Sequence, residues 1–451
     1  MPLHYNYEIR WKNYRCFTDT GWVAIRPLTI LIGPNNSGKT SVISPILLLN
    51  QTMSSRDQVT PLVTRGPLID AGTFKDIIHK RDISRDLFLG FRYHVHDLRE
   101  DIKEVGSYPP GVAQVTLTAG EQPQDIQLKR YELLDIYKRR YLQRVRHKSG
   151  KYSLKGLRQK LMTKGERAAI RNSRPINFVF SPASVLYEYD VSDELYEETT
   201  SVDFSAEFSQ YLRIIGFAFE EFRSVLSGLS YVGPLRDRPR RYYEVSGEIP
   251  RSVGARGEHT ANLLHRRIDT LRTELNSWIS RFEFGDRLEV DELSEELFSL
   301  SFESQVPPAR TNIADAGFGA SQVIPLVVQA IAARKGSLTI AEQPEIHLNP
   351  RLQCVLADLF VEMAKSDHRV LVETHSEHLL LRLRRLIASG EIDHNDVALY
   401  FVEKSGDTSS IRPIPLQSNG HIVPQVWPEG FFEETLRESL ALVTEQSGTS
   451  A

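Results

Sequence analysis

At 451 residues the chain exceeds what one ordinary hydrophobic core serves, so two or more subdomains are expected. Its 41% hydrophobic and 25% charged residues are ordinary for a globular protein, and a net charge of −3 singles out no class of partner. The two cysteines, Cys16 and Cys354, give neither a disulfide framework nor a four-ligand zinc site and fit a reducing, cytoplasmic compartment. Residues 1–15 lack the apolar core of a signal peptide, and no apolar run approaches the roughly 18–20 residues of a membrane helix, so no membrane contact is expected.

In chain order, residues 7–14 and 23–25 read as short strands, with Thr18-Asp19-Thr20-Gly21 as the turn between them. The apolar, partly β-branched run Leu28-Thr29-Ile30-Leu31-Ile32 reads as a strand that stops at Gly33. Gly33-Pro34-Asn35-Asn36-Ser37-Gly38-Lys39-Thr40 follows, and then Val42, Ile43, Ile46 and Leu47 recur at helical spacing, with a kink expected at Pro45. This strand, loop and helix fit G-x-x-x-x-G-K-[ST] in full. The glycines let the backbone curl so that several N–H groups point at one phosphate. Lys39 brings a positive charge to the β- and γ-phosphates, the Thr40 hydroxyl can hold Mg²⁺, and the helix start adds its dipole. Residues 66–74 read as a loop and 86–96 as a strand.

From residue 129 to 174 there are sixteen Lys/Arg against Glu132, Asp135 and Glu166, with Tyr131, Tyr137, Tyr141 and Tyr152 interleaved. Leu133, Leu134, Ile136, Tyr137 and Tyr141 suggest a helix, with a break at Gly150. Residues 176–212 carry no Lys or Arg and eight acids, from Glu188 to Glu207. Two readings of the basic stretch stand side by side. One is a DNA-binding surface of phosphate contacts with aromatic support. The other is an inserted helical arm whose charge is solvated or matched by the acidic segment beside it.

Tyr231-Val232-Gly233-Pro234-Leu235-Arg236 reads as a strand ending at a turn, and Gly254-Ala255-Arg256-Gly257-Glu258 as a glycine-containing surface turn. Leu264, Ile268, Leu271, Leu275, Trp278, Ile279 and Phe282 recur mostly at three and four, an amphipathic helix whose stripe is core. Asp315-Ala316-Gly317-Phe318-Gly319-Ala320-Ser321-Gln322 ends in a second glycine-flanked helix start. Ser337-Leu338-Thr339-Ile340-Ala341-Glu342 is a short buried-type strand ending in the carboxylate that a phosphate loop requires for Mg²⁺. Arg369-Val370-Leu371-Val372-Glu373-Thr374-His375-Ser376 is a strand whose end presents a histidine. Glu373, His375 and His378 also admit a metal-ligand reading. Ser321 and Ser376 sit on no G-x-S-x-G elbow. Residues 402–407 read as strand and turn, 427–432 as a structural cap and the final residues as a tail.

This order of motifs resembles the ABC-type ATPases, in the branch of SMC- and RecF-like recombination ATPases and overcoming-lysogenisation-defect (OLD) proteins. The resemblance implies an α/β fold: a P-loop ATPase head with a mixed core sheet, a helical subdomain carrying the signature, and a basic, helical insertion. It divides the chain into head (1–104), charged insertion (105–225), head (226–435) and tail (436–451). Carried over, Gly33 to Thr40 is similar to Walker A, and Gly317 to Gln322, with Gly319 and Ser321 among them, to the signature that reaches ATP on a second subunit. Glu342 takes the Walker B place, Asn349-Pro350 falls near the D-loop, and His375 matches the switch histidine. Arg15 matches the family's N-terminal arginine. Where the family places a catalytic glutamate after Walker B, this chain has Gln343, with Glu345 the nearest other carboxylate. Glutamine orients water but is a poor base, so slow hydrolysis is expected. The resemblance implies ATP and Mg²⁺ as ligands and a homodimer or higher even oligomer. OLD-like heads without a nuclease resemble the ATPase subunits of anti-phage systems such as PARIS and Septu, which act with a separately encoded effector. An ATP-gated DNA sensor or repair ATPase is the alternative.

Overall fold

The computed structural model describes residues 7–93, 110–122, 125–135, 137–156, 162–173, 175–180, 205–423 and 427. The first strands are β1 (Tyr7–Tyr14), β2 (Phe17–Asp19), β3 (Val23–Ile25), β4 (Leu28–Ile32), β5 (Leu87–Tyr93) and β6 (Pro110–Ala119). Then come β7 (Ile126–Asp135), β8 (Arg140–Arg146), β9 (Tyr152–Lys155), β10 (Leu229–Val232), β11 (Tyr243–Glu244) and β12 (Arg287–Glu292). The last are β13 (Leu297–Gln305), β14 (Pro308–Asn312), β15 (Leu338–Glu342), β16 (Arg369–Glu373), β17 (Val397–Ser405) and β18 (Thr408–Pro413). The chain forms two compact units interleaved in sequence. One is Met1–Ile25, Thr40–Leu229 and Gly406–Ser410; the other is Arg26–Lys39, Ser230–Ser405 and Ile411–Ala451.

The first unit is built on an eight-stranded antiparallel sheet in the order β2-β1-β5-β6-β7-β8-β9, with β3 also paired to β1. Alternation along β1 buries Tyr7, Ile9 and Trp11, the period-2 pattern of a half-buried strand. Trp11 Nε1 donates to the Val42 carbonyl at 2.9 Å, and the Tyr14 and Ser44 hydroxyls bond at 2.8 Å. These bonds fix the helix Lys39–Met53, which continues through Pro45 as one element. The helix Ala206–Ser227 adds Tyr211, stacked on Tyr141 at 5.6 Å, and Phe222, edge-on to Phe91 and Phe178.

Two expectations are corrected here. Thr18 and Asp19 belong to β2, so the turn narrows to Thr20 and Gly21. The basic part of the insertion, read as helical, is instead an antiparallel meander: β7, β8 and β9 carry most of it, and among the described residues of 129–174 only Lys164–Asn172 is helical. Register shifts at Thr116/Leu117 and Leu133/Leu134 break the two-residue alternation, so the apolar positions imitate helical spacing. A few of the sixteen basic residues find acids: Lys129 pairs with Asp86 at 2.5 Å, Arg139 with Asp135 at 2.6 Å and Arg140 with Glu132 at 3.4 Å. Arg144 is buried and donates to the carbonyls of Arg171 and Ser173. Tyr131 and Tyr141 are buried and Tyr152 is half-buried; Tyr137 is exposed. The acidic residues 188–203, the strand residues 94–96 and most of the 427–432 cap lie outside the described residues.

The second unit holds a six-stranded sheet in the order β10-β15-β16-β4-β17-β18. β15, β16, β4 and β17 run parallel, and all five residues of β4, β15 and β16 are buried. Strands covered on both faces read as continuous apolar runs, which these do. The core joins Ile30, Ala341, Val372 and Leu399 from the sheet to Leu275, Val327, Phe360 and Leu383 from the helices Thr260–Arg281, Phe318–Ala332, Pro350–Lys365 and Glu377–Ala388. A smaller antiparallel sheet, β11-β13-β12 with β14 on β13, lies in the same unit.

Candidate functional site

Parallel strands deliver their carboxyl ends to one edge, where α/β sheets bind ligands. At this edge β4 gives way to the loop 33–38, and β15 and β16 end in register at Glu342 and Glu373. Residues separated by more than three hundred positions are thereby brought together.

The loop is held by backbone conformations that favour glycine. Gly33 has φ +149°, and a Cβ there would lie 2.2 Å from the Val402 carbonyl oxygen. Gly38 has φ +107° and Asn36 +59°. Lys39 opens the following helix, is buried, and donates from Nζ to the carbonyls of Gly33 at 3.0 Å and Pro34 at 2.8 Å. Burial pulls its pKa down, against the attraction of Glu373 and Glu345. Thr40 follows Lys39 on the same helix.

Glu342 is 5% exposed, and its pKa is pushed up to about 7 by burial and by the neighbouring Glu373. Tyr231 donates its hydroxyl proton to Glu342 Oε1 at 3.2 Å. Gln343 takes φ +44°, and its N–H donates to the Glu373 carbonyl at 2.7 Å. Glu345 accepts the His375 backbone N–H at 2.6 Å, and burial raises its pKa. Burial, and then the Lys39 charge, pull the His375 pKa down. The strand ends therefore bring carboxylates and an imidazole up to the lysine that follows the loop.

Gly317, Gly319 and Ser321 lie at the start of the helix Phe318–Ala332, with Gly317 as its cap. A Cβ on Gly319 would meet Leu348 Cδ2 at 3.4 Å. Ser321, 5% exposed, donates to the Phe318 carbonyl at 2.7 Å. Asn349 caps the helix Pro350–Lys365 by accepting from the Leu352 N–H at 3.0 Å. Arg15 belongs to the first unit, with φ +45° and its carbonyl bonded to His79 Nδ1 at 2.7 Å. Among the described residues no group of three or more His, Cys, Asp or Glu is arranged to hold a metal ion by itself, and His378 is exposed.

Residues 7–182 and 242–380 match the model of the AAA ATPase domain, well over half of the chain. The chain belongs to the AAA ATPase domain family. Residues 392–442 match a domain described as a protein of unknown function, DUF3696. No curated protein matches. Among solved structures it is similar to the SMC head domain from Thermotoga maritima, at 11% identity and TM-score 0.37, covering 92% of this chain and 99% of that one. An Smc head domain with an extended coiled coil bound to the C-terminal domain of ScpA, from Pyrococcus furiosus, gives 11% identity and TM-score 0.39 over 98% of each chain. A head domain with a coiled coil and joint from Pyrococcus yayanosii gives 9%, 0.40, and coverage of 91% and 97%.

The ATPase site fits a nucleotide with Mg²⁺ on its own chemistry. Ser37 Oγ and His375 Nε2 are buried without hydrogen-bond partners among the described residues, where a polar ligand would satisfy them. The Gly33 curl leaves no room for a side chain beneath the loop. One residue that motif reading missed is Arg236. It is 7% exposed and donates to the carbonyls of Glu342 at 3.0 Å and Gln343 at 3.3 Å. Burial pulls its pKa down to about 10 against the attraction of Glu345, Tyr231 and Glu342. Its signal in the sequence is an arginine just past a short strand, a place where surface turns are the commoner outcome.

Proposed function

We propose that this ATPase binds ATP with Mg²⁺ and pairs head to tail with a second copy around the nucleotide. In this reading the loop amides of residues 33–38 and Lys39 hold the phosphates, while Thr40 and Glu342 hold Mg²⁺. Bound Mg²⁺ would neutralise charge on the phosphates. Gln343 and Glu345 orient the attacking water, His375 faces the phosphate edge, and Gly317, Gly319 and Ser321 act toward the partner's nucleotide. Arg15 assists from the N-terminal strand region. The reading rests on one observation: Lys39, Glu342, Glu345 and His375 converge at the carboxyl edge of the parallel sheet. Gln343 in the glutamate's place supports slow hydrolysis, with ATP acting mainly as a clamp. The resemblance to nuclease-less OLD-like heads supports a scaffold that holds and releases a separate toxic effector in anti-phage defence.

A second reading, ATP-gated DNA sensing or repair, draws on the basic groove lined by His147, Tyr152, Lys164, Arg167 and Arg171. Against it stands the pairing of Lys129, Arg139 and Arg140 with nearby carboxylates, which takes part of the 129–174 charge. Nucleotide binding and sedimentation with ATP and Mg²⁺ test the first reading. Lys39→Ala is expected to lose ATP affinity and the wild type to dimerise. Full affinity in Lys39→Ala, or a strictly monomeric wild type, overturns it. Salt-dependent DNA binding lost on reversing Lys164, Arg167 and Arg171 supports the second.

A further inference from the structure

The signature helix and the Walker B strand are joined inside one chain by an unbroken line of hydrogen bonds. Arg236 donates from Nη2 to the Glu342 carbonyl at 3.0 Å and from Nη1 to the Gln343 carbonyl at 3.3 Å. The same Nη1 reaches Gln322 Oε1 at 3.4 Å. Gln322 Nε2 donates to Ser321 Oγ at 3.1 Å, and Ser321 donates onward to the Phe318 carbonyl at 2.7 Å. Arg236, Gln322 and Ser321 are each less than 8% exposed, so water does not compete for these bonds. The amide of Gln322 has a definite sense: its oxygen accepts from the guanidinium and its nitrogen serves the hydroxyl.

A planar guanidinium suits this place because it offers several donors in one rigid fork, whereas an ammonium offers a single point. Arg236 Nε has no partner among the described residues, so the fork is committed to the Gln322 side and to the two carbonyls. In the head-to-tail reading, the turn at Glu342 and Gln343 is the part of the site that meets Mg²⁺ and the attacking water. Ser321 is the group offered to a second copy.

We propose that Arg236 and Gln322 are positioning residues forming a relay, which ties the orientation of Ser321 to the state of the same chain's Glu342–Gln343 turn. A chain then presents its signature correctly only when its own site is occupied. ATP binding and dimerisation are thereby coupled, with reciprocity required by linkage. This inference rests on the head-to-tail reading above.

The test uses the full chain with ATP and Mg²⁺ and three variants: Gln322→Ala, Arg236→Lys and Ser321→Ala. Fluorescent ATP binding to dilute protein reads the cis site, sedimentation reads dimerisation, and turnover against ATP concentration gives the Hill coefficient. Gln322→Ala is expected to bind ATP within about two-fold of wild type. Its dimer should weaken by on the order of ten-fold, within the usual range for coupling between sites, and its Hill coefficient should fall toward one. Arg236→Lys should move in the same direction. Gln322→Ala added to Ser321→Ala should cost little more than Ser321→Ala alone, since both break one line. If Gln322→Ala dimerises with wild-type affinity and cooperativity while Ser321→Ala does not, the relay is overturned and the head-to-tail reading stands. If Ser321→Ala also dimerises normally on ATP, both fall together. Should Arg236→Lys fail to fold, Gln322→Ala alone decides.

Discussion

Glu342 makes the protein's stability depend on pH in a direction opposite to that of most carboxylates. Its pKa rises from 4.5 to about 7 in the folded chain, because burial and Glu373 both penalise the charge. Between those values the folded state holds a proton that the unfolded chain has already released. Stability therefore falls as pH rises through this window and stays low above it. A rise of about 2.5 in pKa corresponds to about 3 kcal/mol. Glu342→Gln removes the charge and keeps an oxygen for the Tyr231 hydroxyl, at the loss of about 1 kcal/mol for an amide N–H left without an acceptor. Above pH 7.5, without nucleotide, the variant should be about 2 kcal/mol more stable than wild type, or roughly 2–4 °C in Tm. Near pH 5, where wild-type Glu342 is neutral, the advantage should vanish or reverse slightly. Thermal unfolding of both proteins from pH 5 to 8.5 measures this. A gap independent of pH, or a wild type of constant stability between pH 4.5 and 7, refutes the reasoning.

Other outcomes follow from the same geometry. Glu345→Gln should slow ATP turnover by roughly ten-fold or more while leaving nucleotide affinity intact, within the usual range for losing an acid–base group; unchanged turnover removes Glu345 from the mechanism. Gly33→Ala places a methyl 2.2 Å from the Val402 carbonyl oxygen at φ +149°, so both melting temperature and ATP binding should drop; a variant that binds ATP normally would show that the loop yields. Leu275→Ala empties a fully buried position in the core of the second unit and should cost about 2–5 kcal/mol in denaturant titration.

How much of this was legible in the sequence depended on whether a signal was local. β4, the loop and the helix start are contiguous, and the bounds of β4 and of β1 are those read from residue pattern alone. Glu342 and His375 were recognisable as strand-end residues, since a short apolar run followed by one polar residue marks a buried parallel strand. The meander was misread because its bulges disturb the alternation and its lysines and arginines look like a helical surface until their cross-strand acids are known. Arg236 could not be assigned at all. Its partners Gln322, Glu342 and Gln343 lie 86 to 107 residues away, and only the sheet order brings them near.

That sheet order also constrains how the protein is made. The strand carrying the phosphate loop, β4, is flanked by β16 and β17, and Arg26 just before it donates to the Val397 carbonyl, 371 residues later. On the ribosome, β4 must therefore wait unpaired until β16, residues 369–373, has emerged, and for its second neighbour until β17 has, while the antiparallel meander, with its neighbouring strands, can form early. The ATP site is thus among the last features of the nascent chain to assemble, and a release just short of β16 leaves a phosphate loop with no sheet to stand on.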